Sequence, residues 1–237
     1  MQAVKIKLYQ NMVNYRRELS YGYVQTYPLP TPSMVRGMAH SLLQAKQYYP
    51  LQISIQGKYM SVVTNMQKIY KFDRKDRYPI PVAVRSSEYN QSVNRGLMYV
   101  DQIVDMDLIL HIAFYDEELN KKFLKTVFEN IVILGRNEDI ARVDECKIVN
   151  INEPDNRNEQ ILDKNMFISQ SICKANRLEG TAYRLPFKYN DVQSFTDKRI
   201  FSFADAKYIS IGRELSKKKL PVDDDNCPVA FLKVDDD

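Results

Sequence analysis

The run Val104-Asp105-Met106-Asp107-Leu108-Ile109-Leu110-His111-Ile112-Ala113-Phe114 leaves little freedom about local structure. Val104, Met106, Leu108, Leu110, Ile112 and Phe114 recur at a period of two, and Asp105, Asp107 and His111 fall between them. On a strand this alternation puts all the named apolar side chains on one face, whereas a helix would scatter them round its circumference. The chain is therefore expected to be built on a sheet with this strand at its centre, one face packed and one polar. Ala3 to Tyr9 shows the same pattern, with Val4, Ile6 and Leu8 opposed to Lys5 and Lys7. Gln52 to Gln56, Tyr59 to Phe72 and Arg142 to Ile151 read as further strands. Two helices separate them. The second follows Asp116-Glu117-Glu118, acids that favour a helix N-terminus, and carries a stripe of Leu119, Phe123, Leu124, Val127 and Phe128. In order the elements spell β-α-β, an insertion, β-α-β, the ferredoxin-like α+β arrangement that RNA-recognition domains share. The aromatic-glycine signature of the common RNA-recognition motif does not occur in the sequence.

The first helix is entered through Tyr27-Pro28-Leu29-Pro30-Thr31-Pro32. Three prolines at alternate positions enforce an extended approach, and Ser33 is placed to cap the helix that follows. Val35, Met38, Ala39 and Leu42 form its apolar side, with Arg36 and His40 one turn apart on another. This is either an ordinary rigid connection or a helix N-terminus presenting its N–H groups to a phosphate, with Arg36 adding charge. Asn11 to Thr26 is expected to be a long loop. Its Arg16, Arg17 and tyrosines make either a solvated surface or a set of phosphate and stacking contacts for nucleic acid. A second basic region runs from Arg74 to Val100, with Arg77, Arg85, Arg95 and Tyr78-Pro79-Ile80-Pro81. It is too long for a simple connection and is expected to project as a thumb.

A chain of 237 residues with 44% apolar side chains can bury one substantial core. The expected organisation is a core over residues 1–151, with the thumb at about 74–100, and a smaller β-rich part over 152–237. In that second part Ala182 to Phe187, Arg199 to Phe203, Lys207 to Ile211 and Val229 to Val234 are short strand candidates. Lys217-Lys218-Lys219, Asp223-Asp224-Asp225 and Asp235-Asp236-Asp237 are expected to be solvated. A formal charge of +4 permits an acidic partner without demanding one. Cys146, Cys173 and Cys227 are too dispersed for a zinc site or a disulfide frame, which places the chain in a reducing cytoplasm. No apolar run reaches membrane-spanning length and no secretory signal core opens the chain. His40 and His111 fall on different elements, so no metal site is expected, and Asp105, Asp107 and His111 read as the polar outer face of the sheet. No Gly-rich phosphate loop and no nucleophile elbow occurs, and no cofactor is implied.

The succession of strand, Tyr-Pro-Leu-Pro loop and Pro32-Ser33-Met34-Val35-Arg36-Gly37-Met38 opening a helix resembles the N-terminus of the Cas-five family of the RAMP superfamily. Ile133-Leu134-Gly135-Arg136-Asn137-Glu138-Asp139, ahead of the strand through Cys146-Lys147-Ile148-Val149, resembles that family's Leu-Gly-Arg-Glu-Asp turn. The resemblance implies a non-catalytic, RNA-binding subunit of a type I CRISPR Cascade surveillance complex, of subtype I-B, serving antiviral defence. Such a subunit holds the 5′ handle of the crRNA, caps the backbone filament beside the Cas-seven subunit, contacts the large subunit of Cascade and meets target DNA only indirectly. Its RNA contacts would come from Arg16, Arg17, Tyr27, Ser33, Arg36, His40, Arg74, Arg77, Arg85, Arg95 and Arg136. Some branches of the family cut precursor RNA without metal, using a tyrosine of the first helix and a Lys-His pair. Here the helix ends in Leu42-Leu43 and no Lys-His dipeptide occurs. His40 is the one candidate base on that helix, so the expectation is a chain that does not cut. A metal-independent endoribonuclease is the alternative, and a scaffold with no RNA role is a third class.

Overall fold

The computed structural model describes residues 1–18, 20, 22–72, 80–82, 91–154, 159–190 and 200–232. β1 (Gln2–Val13) and β2 (Tyr23–Val24) lead to α1 (Pro32–Leu42). β3 (Leu51–Lys58), β4 (Ser61–Phe72), β5 (Ile80–Val82) and β6 (Gln91–Phe114) precede α2 (Glu117–Glu129). β7 (Val132–Ile133), β8 (Ile140–Asn150), β9 (Gln160–Ile161) and β10 (Asn165–Ser169) lead to α3 (Gln170–Asn176). β11 (Thr181–Asn190), β12 (Ile200–Ile209) and β13 (Glu214–Leu215) close the series. The protein is thus α+β and strand-rich. One sheet runs β11-β12-β10-β3-β6-β1-β8-β7, with β2, β4 and β5 attached to β6, while β9 and β13 pair separately. Its neighbours are antiparallel except β2 beside β6.

The alternating run is the second half of β6. It lies between β1, where Leu8 faces Leu108 and Ile6 faces Leu110, and β3, where Ile55 faces Leu110. The first half of β6 leaves the sheet as a ribbon with β4, from Ser61 opposite Val104 to Phe72 opposite Val93. Asp105 marks the bend. Its φ of +52° is a conformation that aspartate tolerates better than most residues, and its carboxylate accepts the Tyr9 hydroxyl at 2.5 Å. The ribbon therefore begins at Ser61, earlier than Arg74. From Gln91 onward it is continuous with the central strand, because a paired ribbon satisfies its own backbone hydrogen bonds. Arg74, Arg77 and Arg85 lie outside the described residues, as does the side chain of Arg95, whose backbone sits opposite Tyr70.

α1 and α2 cover one face of the sheet. Val35, Met38, Ala39, Leu42, Phe123 and Val127 pack with Ile6, Leu8, Leu108, Leu110 and Ile112 in one core. Fully burying each such side chain contributes about 2 kcal/mol. Thr31, not Ser33, is the α1 N-cap: its hydroxyl accepts the Met34 N–H, and Pro32 takes the first helical position, where its missing N–H costs nothing. Ser33 Oγ lies 3.0 Å from Thr31 Oγ1. Asp116 caps α2 by accepting the Glu118 N–H at 2.9 Å, as its acidic start predicts. Phe128, expected in the buried stripe, is 66% exposed, because the packed stripe of α2 runs through Asn120, Phe123 and Val127 and the next residue turns about 100° away from it. The expected strands Arg199–Phe203 and Lys207–Ile211 fall on one strand, β12, over its described residues, and among the described residues after Val229 there is only an isolated bridge, Leu232 to Ile53.

The other face of the sheet, expected to be polar and open, is covered. Residues 220–232 cross it as a strap, bridged at Val222 to Asn152 and at Leu232 to Ile53. The Ala230 N–H donates to Ser54 Oγ at 2.9 Å, and Gln56 Nε2 donates to the Pro228 carbonyl at 2.7 Å. Beneath the strap Lys5 and His111 are buried rather than solvated, and so is Asp223. Lys5 Nζ lies 2.6 Å and His111 Nε2 3.0 Å from the same oxygen, Asp223 Oδ2. Asp225 adds a carboxylate 2.7 Å from Lys5 Nζ. The other oxygen of Asp223 accepts the N–H groups of Asp225 and Cys227 at 2.9 and 2.8 Å. The polar stripe of β1 and β6 thus met an opposite charge 112 and more residues away, which no local pattern displays.

Burial would raise the Asp223 carboxyl, but the hydrogen bonds from His111 and Lys5 outweigh it and hold the group below the carboxylate range. Burial depresses His111, and its bond to Asp223 recovers only part of the loss beside the Lys5 ammonium. On acidification the unfolded chain therefore takes up this proton before the folded one. The His111 contribution is complete above about pH 6.5 and falls as the pH drops toward the folded-state value. Asp223→Asn strands the Lys5 ammonium with Asp225 alone and is expected to destabilise the fold by about 3 kcal/mol in urea unfolding. Wild-type stability should decline as the pH falls below about 6.5 and His111→Gln should flatten that slope; parallel slopes for the two proteins would remove His111 from the account.

Candidate nucleic-acid interface

Where α1 meets the C-terminal strands, the helix side of the protein holds a cleft of about 650 Å³. α1 supplies Ser33, Met34, Arg36, Gly37 and His40 to it. The link to β3 supplies Ala45, Lys46, Gln47 and Tyr48. β11 and β12 supply Phe187, Lys188, Tyr189 and Phe201. Among the described residues, three cations and no carboxylate stand in this lining. Four aromatic rings share it with them. Alternating cations and flat rings is the composition that binds single-stranded nucleic acid, charge for the phosphates and faces for the bases.

Arg36 holds the cleft together. It is 5% exposed, and its Nη1 donates to the Tyr48 hydroxyl at 2.8 Å, its Nε to the Phe187 carbonyl at 3.3 Å and its Nη2 to the Leu51 carbonyl at 3.4 Å. The guanidinium also lies 4.7 Å from the Phe187 ring centre and 5.4 Å from that of Tyr48. Arg36, expected at a phosphate, is placed by the structure among these groups. The residue on the amphipathic boundary of α1 turns inward because β11 brings a carbonyl and a ring to it. His40 is half-buried, with Nε2 3.0 Å from the Tyr49 carbonyl and 3.3 Å from the Tyr49 nitrogen. Its ring stands edge-on to Tyr48 at 5.7 Å. Burial lowers its pKa, the Tyr49 carbonyl opposes that and the nearby Arg36 charge adds to it.

The other described residues expected to meet RNA fall in two further places. Arg16 and Arg17 are exposed on the loop after β1, Arg16 Nη2 donating to the Ser20 carbonyl at 3.1 Å. Arg17 lies 5.5 Å over the Tyr27 ring. Tyr27 itself is buried, donating to Glu18 Oε2 at 2.6 Å and packing against Tyr183 at 5.8 Å, so its ring serves the core. Burial, then the Glu18 bond, raises its pKa well above the ordinary value. Arg136 lies in the turn before β8. Its Nη2 and Nε donate to the two oxygens of Asp139 at 2.8 and 3.1 Å, and its Nη1 reaches Gln67 on β4 at 2.9 Å. Asp139 also accepts the N–H groups of Arg136 and Asn14. Gly135 is required there: its φ is +117°, and a Cβ would stand 2.7 Å from Asp139 Oδ2. The Leu-Gly-Arg-Asn-Glu-Asp turn is therefore a clamp between β1, β8 and the root of the arm.

Sequence reasoning missed Lys46, Tyr48, Lys188, Tyr189 and Phe201. Lys46 to Tyr48 follow α1 directly and a basic-aromatic reading would have caught them, but Lys188, Tyr189 and Phe201 join the site only through the pairing of β11 with β12. One more cluster contains metal-ligating groups: His111, Asp223 and Cys227 offer ligand atoms within 4.8 Å of one another. The Lys5 ammonium already occupies the cation position beside Asp223.

A strand-rich α+β protein with a long β4–β6 ribbon and a basic, aromatic cleft on its helix side is the class that this geometry defines. Residues 3–208 match the family described as CRISPR-associated protein (Cas_Cas5), and the chain belongs to that family. Among solved structures it is similar to a chain of one titled "CRISPR RNA-guided surveillance complex", at 13% identity and a TM-score of 0.55, over 91% of this chain and 92% of that one. It is also similar to a chain in a structure of a type III-B Cmr-beta complex bound to cognate target RNA and AMPPnP. There the identity is 10% and the TM-score 0.47, over 89% and 85% of the two chains. No match was found among curated proteins.

Arg36→Ala removes three hydrogen bonds and two ring contacts from a buried site and is expected to cost about 3 kcal/mol of stability in urea unfolding. Tyr48→Phe, which removes one acceptor, should cost about 1 kcal/mol. Equal midpoints for wild type and Arg36→Ala would show that the guanidinium anchors nothing.

Proposed function

We propose that this protein is a non-cleaving, RNA-binding subunit of a type I Cascade surveillance complex, of subtype I-B, acting in the cytoplasm in antiviral defence. In this reading it holds the 5′ handle of the crRNA and caps the backbone filament beside the Cas-seven subunit. It contacts the large subunit and meets target DNA only through the assembly. The observation that carries the reading is the cleft, whose lining combines Lys46, Lys188 and Arg36 with Tyr48, Tyr189 and Phe201 and, among the described residues, holds no carboxylate. The order β8-β1-β6-β3, antiparallel throughout and with α1 and α2 as crossovers, supports a ferredoxin-like core. The division into a core with a thumb and a smaller C-terminal part stands as part of the same proposal.

Arg16, Arg17 and the arm residues Arg74, Arg77, Arg85 and Arg95 are proposed to extend the RNA contacts away from the cleft. Tyr27, Ser33, Arg36, His40 and Arg136 then shape the surface that receives the strand. The arm also exposes Val62, Met66, Leu97 and Tyr99, an apolar face suited to an adjoining protein subunit. No helix among the described residues is long and apolar enough to cross a membrane.

Cleavage is the second reading, and one observation favours it: tertiary structure brings Tyr48 and Tyr49 to His40. Against it, Nε2 of His40 already faces the Tyr49 backbone and the Tyr48 hydroxyl already accepts from Arg36, so neither is poised toward the cleft as a proton-transfer pair. Purified protein incubated with its own repeat RNA in chelator is expected to yield no discrete product, and to bind that RNA with an affinity that falls steeply as salt rises. A specific cut lost in His40→Ala would promote the endoribonuclease, and salt-independent or absent binding would leave only a scaffold.

A further inference from the structure

Nothing among the described residues requires Gly37 to be glycine. It lies in the middle of α1, where glycine weakens a helix relative to alanine. Its backbone is helical, and a Cβ placed on it would meet nothing within 4 Å. Gly57, Gly135 and Gly180 differ, since a Cβ there would stand 2.9, 2.7 and 2.3 Å from other atoms. Gly37 is exposed, and what it faces is the cleft. The missing side chain therefore widens a cavity instead of relieving a contact.

The rest of the cavity says what the space suits. Its volume of about 650 Å³ lies in the range of about 300–1,000 Å³ usual for small-molecule sites. Tyr48 stands on one side, its ring set by Arg36, with Tyr189 and Phe201 packed edge to face at 6.4 Å on the other. Lys46 and Lys188 supply positive charge, and Ser33 and Gln47 supply polar groups. A flat, weakly polar ring needs a smooth floor and aromatic walls. A phosphate needs cations and no carboxylate nearby. One nucleotide meets both conditions; a protein side chain uses the walls but not the cations.

We propose that the cleft is a single-nucleotide pocket, in which one unstacked base of a single-stranded RNA lies against the bare Gly37 surface of α1 and its phosphate is held by Lys46 and Lys188. The proposal rests on the RNA-binding reading above and assigns to it a specific point of capture. Because stacking on rings tolerates any base, the pocket demands an unpaired nucleotide more than a particular sequence.

The test uses Gly37→Leu, which fills the floor, and Gly37→Ala, which adds only a methyl. Both remove a helix-weakening glycine, so their thermal midpoints should equal or exceed that of the wild type, and a loss of binding would not be a loss of folding. An eight-nucleotide single-stranded RNA should bind Gly37→Leu about tenfold or more weakly than wild type, with an unchanged salt slope because no cation has been removed. In calorimetric titrations of the wild type, adenosine 5′-monophosphate should bind at least about tenfold tighter than ribose 5-phosphate, and Gly37→Leu should erase that difference. Equal RNA affinity for wild type and Gly37→Leu overturns the pocket while leaving the RNA-binding reading intact. Equal affinity for the two small phosphates reduces the cleft to an anion site and also overturns it. A wild type that binds neither the RNA nor the mononucleotide overturns both readings.

Discussion

A lysine buried in the middle of a sheet is tolerable only if something anionic is buried with it, and the Lys5–Asp223–His111 group settles much of the architecture on that condition. Lys5 lies on β1 and His111 on β6, side by side on the face away from the helices. The carboxylate comes from residue 223, so the C-terminal strap must cross that face for the charges to meet. Once it does, Ser54 and Gln56 of β3 are satisfied by strap backbone, and Ala3, Ala113 and Val149 gain an apolar cover from Phe231. The consequence reaches function. An open sheet face is where RNA-recognition domains stack bases; here the strap covers the part of that face around Lys5, Ser54, Gln56 and His111.

Two arginines show how readily a guanidinium is recruited into such a frame. Arg36 joins α1 to β11 and to the start of β3, and Arg136 joins its own turn to β4. Each satisfies several acceptors in one plane, and Arg36 adds a ring above it, an arrangement that lysine cannot reproduce. Both stand in the motifs that mark the family resemblance. Their geometry indicates that these motifs owe much of their character to holding the cleft and the arm root in place, while lysines and tyrosines with no motif of their own line the surface a ligand would meet.

The legible part of the fold was the part governed by local periodicity. The alternation in Val104–Phe114 and Ala3–Tyr9 located the two central strands, and the apolar spacing after Pro32 and Asp116 located both crossover helices. Boundaries drifted where a neighbour decided them. β6 starts at Gln91 because β4 and then β5 continue to pair with it, and Phe128 is exposed because the packed stripe of α2 runs through Phe123 and Val127. Of the site, Ser33, Arg36 and His40 were found together on one helix. Lys188, Tyr189 and Phe201 were not, since nothing near them signals that β11 and β12 come back to α1.

Alternation along a strand and the 3.6-residue period along a helix need only near neighbours, so the sequence by itself determined the order of the core elements and which face of each is apolar. It also determined, through two short motifs, the family to which the chain belongs. What only the tertiary structure decided was the fate of the polar faces. Asp223-Asp224-Asp225 has the composition of a solvated run, and His111 alternates like a surface residue. Yet Asp223 and His111 bury one another 112 positions apart, while Asp224 and Asp225 stay exposed. The physical reason is that a charge or an arginine records in sequence only that it must be satisfied, by water or by an opposite group. Which of the two occurs depends on long-range chain crossings that local pattern does not encode.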